Sequence, residues 1–268
     1  MEKLYEIYTG GAEDSFEVGK LLFEENSWQL YLTLDELGRD DSLLLIRKPA
    51  VTRLLDQSDY LAEIQRRRKM LTQKGLADPF KLEDKVTLIK SVGSFMDLIA
   101  RASRLFWPGR RRLPAMGLFA VGRLLCADDD FSLYLTVDEI GRDDSLLLVK
   151  KKAVDRVIDQ SEYLQDISRC RRQLKERGLE DPFEVQGKAA EIKQMQDFWQ
   201  LVAGQVVSFV MKDEEEEYGI LKSKEGDALS FEQYPSGKYE TFAGQINLAE
   251  VGHLEAFGGE LTLENNNC

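Results

Sequence analysis

The stretch Leu30–Leu45, LYLTLDELGRDDSLLL, returns as Leu133–Leu148, LYLTVDEIGRDDSLLL. The copies differ only at Leu34/Val137 and Leu37/Ile140, both apolar exchanges. Tyr31 and Tyr134 set an offset of 103 residues, and the offset holds without a gap in both directions. Gly19 falls on Gly122, Leu21-Leu22 on Leu124-Leu125, Gly75 on Gly178, and Asp78-Pro79-Phe80 on Asp181-Pro182-Phe183. An internal repeat constrains a fold more than any local pattern, because each copy must form the same supersecondary unit.

Within a copy the period changes from two to about 3.6. FEVGKLLF from Phe16 and WQLYLTL from Trp28 alternate apolar and polar residues and predict strands, with a turn at Glu24–Ser27. Asp35–Asp41 is a polar loop around Gly38. Ser42–Ile46 and Ala50–Leu54 predict two further strands. Short strands at this spacing suggest a small barrel or a strongly bent sheet. Asp56–Asp59 then has the look of a capping box, followed by Tyr60, Leu61, Ile64 and Leu71 at helical spacing up to Gly75. Asp78-Pro79-Phe80 opens a second helix with Val86, Ile89, Val92, Phe95, Met96 and Ile99 as its stripe. The lead-in Met1–Asp14 has no counterpart in the second copy and is read as lying outside the repeat.

After the second copy, strand patterns resume. GQVVSFVM from Gly204 aligns with the Gly19 strand, and Glu250–Phe257 completes a third, divergent barrel without helices. The expected fold is therefore α+β: small β-barrels in an internal repeat, separated by helical hairpins. The expected segments are 1–103, a linker at 104–116 holding Arg110, Arg111 and Arg112, 117–203, and 204–268. Val51, Val154 and Val251 are expected to be equivalent buried positions.

With 43% hydrophobic and 31% charged residues, the chain suits folded domains. No apolar run is long enough to span a membrane, and the N-terminus has no signal-type apolar segment. Cys126, Cys170 and Cys268 are widely spaced, and neither Phe23 nor Arg67, the counterparts of the first two, is a cysteine. This argues against a disulfide framework and for a cytoplasmic protein. The net charge of −12 opposes general affinity for nucleic acid or anionic membranes.

Three groups of residues stand out. Asp35, Glu36, Arg39, Asp40 and Asp41 recur as Asp138, Glu139, Arg142, Asp143 and Asp144. They read either as a duplicated recognition loop for a basic partner or as a structural loop whose acids cap backbone amides. Arg53, Arg156 and His253 share one position in the three closing strands: a common groove, or a solvent face. Arg66, Arg67 and Arg68, with Arg169, Arg171 and Arg172, join Arg110–Arg112 either as a phosphate-binding stripe or as solvated helix faces. His253 is the only histidine, and no phosphate loop, nucleophile elbow or metal motif is present. No cofactor or metal is expected, and an enzyme is the last-ranked reading.

A Gly early in a strand, an apolar strand, a Gly-centred loop and a closing strand such as AVTRL, AVDRV or EVGHL resemble small barrels of the Sm-like and SH3-like class. The resemblance implies binding of RNA or peptides, or assembly into rings. The sequence thus leads to a non-enzymatic acidic scaffold or adaptor that engages a protein partner. An RNA- or nucleotide-binding protein using the Arg clusters is the alternative.

Overall fold

The computed structural model describes residues 3–9, 16–101, 120–211, 216–234 and 241–258. The expected linker with Arg110, Arg111 and Arg112 lies outside the described residues, as does Cys268. The first strands are β1 (Tyr5–Thr9), β2 (Phe16–Glu25), β3 (Trp28–Leu34), β4 (Asp40–Arg47) and β5 (Val51–Leu55). Helices α1 (Asp59–Gln73), α2 (Leu82–Val86) and α3 (Val92–Arg101) follow. The second copy supplies β6 (Val121–Ala127), β7 (Phe131–Val137), β8 (Asp143–Lys150) and β9 (Arg156–Asp159), then α4 (Glu162–Glu176), α5 (Val185–Glu191) and α6 (Met195–Val202). The C-terminal strands are β10 (Val206–Met211), β11 (Glu216–Glu225), β12 (Ala228–Gln233), β13 (Gly244–Asn247) and β14 (Val251–Ala256).

The fold is α+β, with antiparallel ladders throughout its two sheets. The sheets are open, in the orders β5-β1-β2-β3-β4-β9 and β13-β12-β11-β10-β14-β8-β7-β6. Closed barrels were the expectation, and the reason for the difference is where two closing strands go. β9 pairs with β4, and β14 lies between β10 and β8, so each extends the sheet of the preceding segment.

The chain divides into two compact units. One comprises residues 1–120 and 154–166, the other 121–153 and 167–268. In the first, Ile7, Tyr31, Leu44, Ile46 and Ile158 form one core cluster. Leu4, Val18, Leu34, Leu61 and Ile64 form another, where α1 lies on the sheet. In the second, Leu133, Leu135, Leu146 and Leu148 pack with Val185, Ala189, Phe198 and Trp199 and with Val207, Phe209 and Leu254.

The register shows why the glycines of β2, β6 and β11 are needed. Gly19 faces Thr33, Gly122 faces Thr136 and Gly219 faces Gln233, each followed by a bulge two to four residues on. A Cβ on Gly122 would lie 2.5 Å from the Leu135 carbonyl oxygen, so the strands could not approach as they do. Gly219, and not Gly204, therefore holds the Gly19 position. Val206–Met211 instead pairs as β1 does: Val207 faces Gly219 as Tyr5 faces Gly19. The lead-in strand β1 is thus part of its sheet, between β2 and β5.

Ser58 is the N-cap of α1, and its Oγ accepts from the Leu61 N–H at 3.0 Å. The neighbouring acids of the expected capping box do not fill that role. The expected second helix is broken into α2 and α3. Its first turn is held by Asp78, which accepts from the Leu82 and Glu83 N–H groups. The break comes where Ser94 Oγ accepts from the Lys90 and Ser91 N–H groups, a local bond that competes with the helical one. In the second copy Asp181 and Asp197 do the same work.

Candidate functional site

The repeated loop folds around its first acid. Asp35 accepts from the Leu37 N–H at 3.0 Å, the Arg39 N–H at 2.8 Å and Arg39 Nε at 2.6 Å. Asp138 accepts from Ile140, Arg142 and Arg142 Nε at 3.1, 2.8 and 2.7 Å. Gly38 and Gly141, at φ +85° and +90°, complete the turn. Replacing Asp35 by Ala is expected to cost about 1 kcal/mol, as loss of a cap does. Replacing the exposed Glu36 should stay within about 0.5 kcal/mol. Urea titration of both variants checks the contrast.

The loop is fastened to the helix that follows. Arg68 Nη1 lies 2.8 Å from Asp40 Oδ1, and Arg171 Nη2 lies 2.8 Å from Asp143 Oδ2. Asp40 and Asp143 are only 1% and 0% exposed, so each arginine compensates a buried carboxylate. Their backbone N–H groups donate to Ala77 and Glu180 carbonyls at 2.7 and 2.6 Å. Arg67 adds a bond to the Glu36 carbonyl. Burial pushes the Asp40 carboxyl up to about 6 against the opposing Arg68 bond. It also raises Asp143 against Arg171.

The arginines are therefore divided in use. Arg68 and Arg171 serve the loop, while Arg66 and Arg67 share Glu63 at 2.8 and 2.7 Å. Arg169 and Arg172 are exposed on α4. Of the closing-strand residues, Arg53 and His253 hold the same register, facing Tyr8 and Val210. Arg156 and His253 do likewise, facing Ile46 and Val149. Their surroundings differ. The exposed Arg53 guanidinium stands 3.7 Å from the Tyr8 ring centroid, Arg156 is half-buried near Glu17, and His253 is buried. Val154 and Val251 are buried, whereas Val51 on edge strand β5 is half-buried.

The first unit also contains a cavity of about 450 Å³. Glu17 of β2, Thr33 of β3, Asp41, Ser42 and Leu44 of β4, Ile158 of β9, and Ser161, Tyr163 and Leu164 at the start of α4 line it. Thr33 Oγ1 and Ser42 Oγ bond each other at 2.6 Å, and Ser161 Oγ accepts from the Leu164 N–H. Burial pushes Asp41 up to about 6, opposed by a bond from the Glu162 N–H and reinforced by Glu17, Asp35 and Glu162. Burial raises Glu17 as well, and Arg156 opposes it. Of these lining residues the sequence reading singled out only Asp41. The others come from five elements, and their only sequence signal is that Ala120 takes the place of Glu17 in the repeat.

Among the described residues, no group of three His, Cys, Asp or Glu is placed to hold a metal ion, and no helix is long and apolar enough to cross a membrane. The chain matches no protein-family model and no curated protein sequence.

Proposed function

We propose that this chain is a non-enzymatic scaffold that engages protein partners through repeated small β-modules of the Sm-like and SH3-like kind. One observation carries the reading: the same joint between segments occurs twice. Leu44, Leu45 and Ile46 of β4 face Ile158, Val157 and Arg156 of β9. Leu147, Leu148 and Val149 of β8, the repeat counterparts, face Glu255, Leu254 and His253 of β14. The strand before the closing strand of one segment thus takes the closing strand of the next, in one register. The net charge of −12 fits such a role in the cytoplasm.

Among the described residues four strands have one ladder each, β5, β6, β9 and β13, and of these the joint leaves β5 and β13 unjoined. β5 pairs only with β1, and β13 only with β12. A sheet edge of this kind accepts a further strand through its backbone groups. By the logic of the joint, the strand that suits β13 is a closing strand, and β5 of a second copy is one.

Proline removes the donor that a new ladder needs. Thr52→Pro and Gln245→Pro are expected to lower self-association of the purified protein at least tenfold by sedimentation velocity, with melting temperatures kept close to wild type. Material co-purifying from the host should be removed by protease. Removal by nuclease instead, unaffected by the prolines, would favour RNA binding through the arginines.

A further inference from the structure

We propose that the cavity of the first unit binds an amphiphilic organic cation, its guanidinium or ammonium group at Glu17 and Asp41 and its carbon chain along Leu44, Ile158 and Leu164. The inference stands apart from the β5 and β13 edges and uses none of their residues.

The lining divides into two kinds of surface. Leu44, Ile158 and Leu164 are buried apolar groups, and Tyr163 adds an aromatic ring that is 43% exposed. The hydroxyls of Thr33 and Ser42 bond each other, and Ser161 Oγ accepts from the Leu164 N–H. The charged groups of the lining are the two carboxylates. Around them acids outnumber bases. Glu17, Asp35 and Glu162 face Asp41, while Arg156 lies near Glu17 and Arg39 is held by Asp35 at 2.6 Å. A carboxylate burdened by burial and by like charges gains most from a cation. A metal ion would leave the apolar surface unused, whereas an alkyl chain ending in a cation uses both parts.

The second unit handles the same place differently. Ala120 stands in the sequence where Glu17 does, and Glu255 faces Leu147 where Ile158 faces Leu44. There the chain after β14 comes close. A Cβ built on Gly258 would lie 3.7 Å from Ser145 Cβ and 2.9 Å from Glu255 Oε1. After β9 the chain turns instead into α4, and Ser42, the counterpart of Ser145, faces the cavity.

The test uses charged and neutral probes of one shape on the full chain. Pentylamine and the blocked tripeptide acetyl-Gly-Arg-Gly-amide are titrated while amide NMR shifts are followed, beside the citrulline tripeptide. The expected result is saturable shifts at Thr33, Ser42, Ile158 and Leu164 with the cations, and binding at least tenfold weaker for citrulline. The tighter of the two cations tells a free amine from a peptide side chain. Affinity should strengthen as pH rises through about 6, because the ionised carboxylates hold the cation, and then level off. Glu17→Gln with Asp41→Asn should abolish the shifts. Equal binding of citrulline, or cation shifts unchanged in a folded Glu17→Gln/Asp41→Asn protein, would overturn the proposal. If that variant does not fold, the citrulline comparison on the wild-type protein decides alone.

Discussion

Replacing Arg68 by Met is expected to lower stability by about 3–5 kcal/mol at pH 7.5, because it strands a buried carboxylate. Asp40 is 1% exposed, and its Oδ2 has no hydrogen-bond partner among the described residues, so Arg68 is the cation that compensates it. The loss should depend on pH. The Asp40 carboxyl of the folded protein, pushed up to about 6, lies above its ordinary value of about 3.9. The folded state therefore holds the proton more tightly than the unfolded state. This contribution to stability is full below the unfolded value and declines as pH rises toward the folded one. Removing Arg68 takes away the group that opposes burial, so the decline continues to higher pH. Urea unfolding at pH 5 and pH 7.5 should show a deficit that shrinks at the lower pH. Equal deficits would mean that the arginine stem acts by packing alone. Arg171→Met is expected to behave alike through Asp143, and Asp40→Asn should restore part of the loss in the Arg68 variant.

Alanine at Gly38 is expected to cost about 2–4 kcal/mol, as the sum of a left-handed conformation and a backbone collision. At φ +85°, an added Cβ would lie 2.9 Å from the Arg68 nitrogen and 3.1 Å from the Ile64 carbonyl oxygen. Neither atom can give way without moving α1. Gly75 separates the two causes. It has φ +68° with nothing within 4 Å of its Cβ position, so its alanine variant should pay only the conformational part, about 1–2 kcal/mol. Guanidinium titration of both variants reads the difference. Equal losses would show that the loop does not sit on the helix backbone.

These two sites show what could be read in advance. That Gly38 takes a turn and that Asp35 caps it follow from local rules, since every partner lies within four residues. The strands followed from alternation, and the shared register of Arg53, Arg156 and His253 followed from alignment of three closing patterns. The Asp40–Arg68 pair was harder. Both residues were singled out, but as separate groups with separate roles. A surface charge and a buried one look the same in a sequence, and only the packing of the loop against α1 tells them apart. The divided second helix was misread because its apolar stripe continues across the break, while Ser94 and Asp197 bind the backbone locally. The cavity was not legible, because Glu17, Leu44, Ile158 and Leu164 meet only once β9 has paired with β4.

Sequence by itself determined the repeat, most of the strands and helices, the turn glycines Gly38 and Gly141 and the α+β class, because each rests on periodicity or on contacts within a few residues. Tertiary structure alone decided that closing strands extend the preceding sheet. Every exposed edge offers the same backbone donors and acceptors, and the alternation of a strand does not name its neighbour. The choice falls to which pairing buries the apolar faces of both strands together, and that is a property of the assembled sheet.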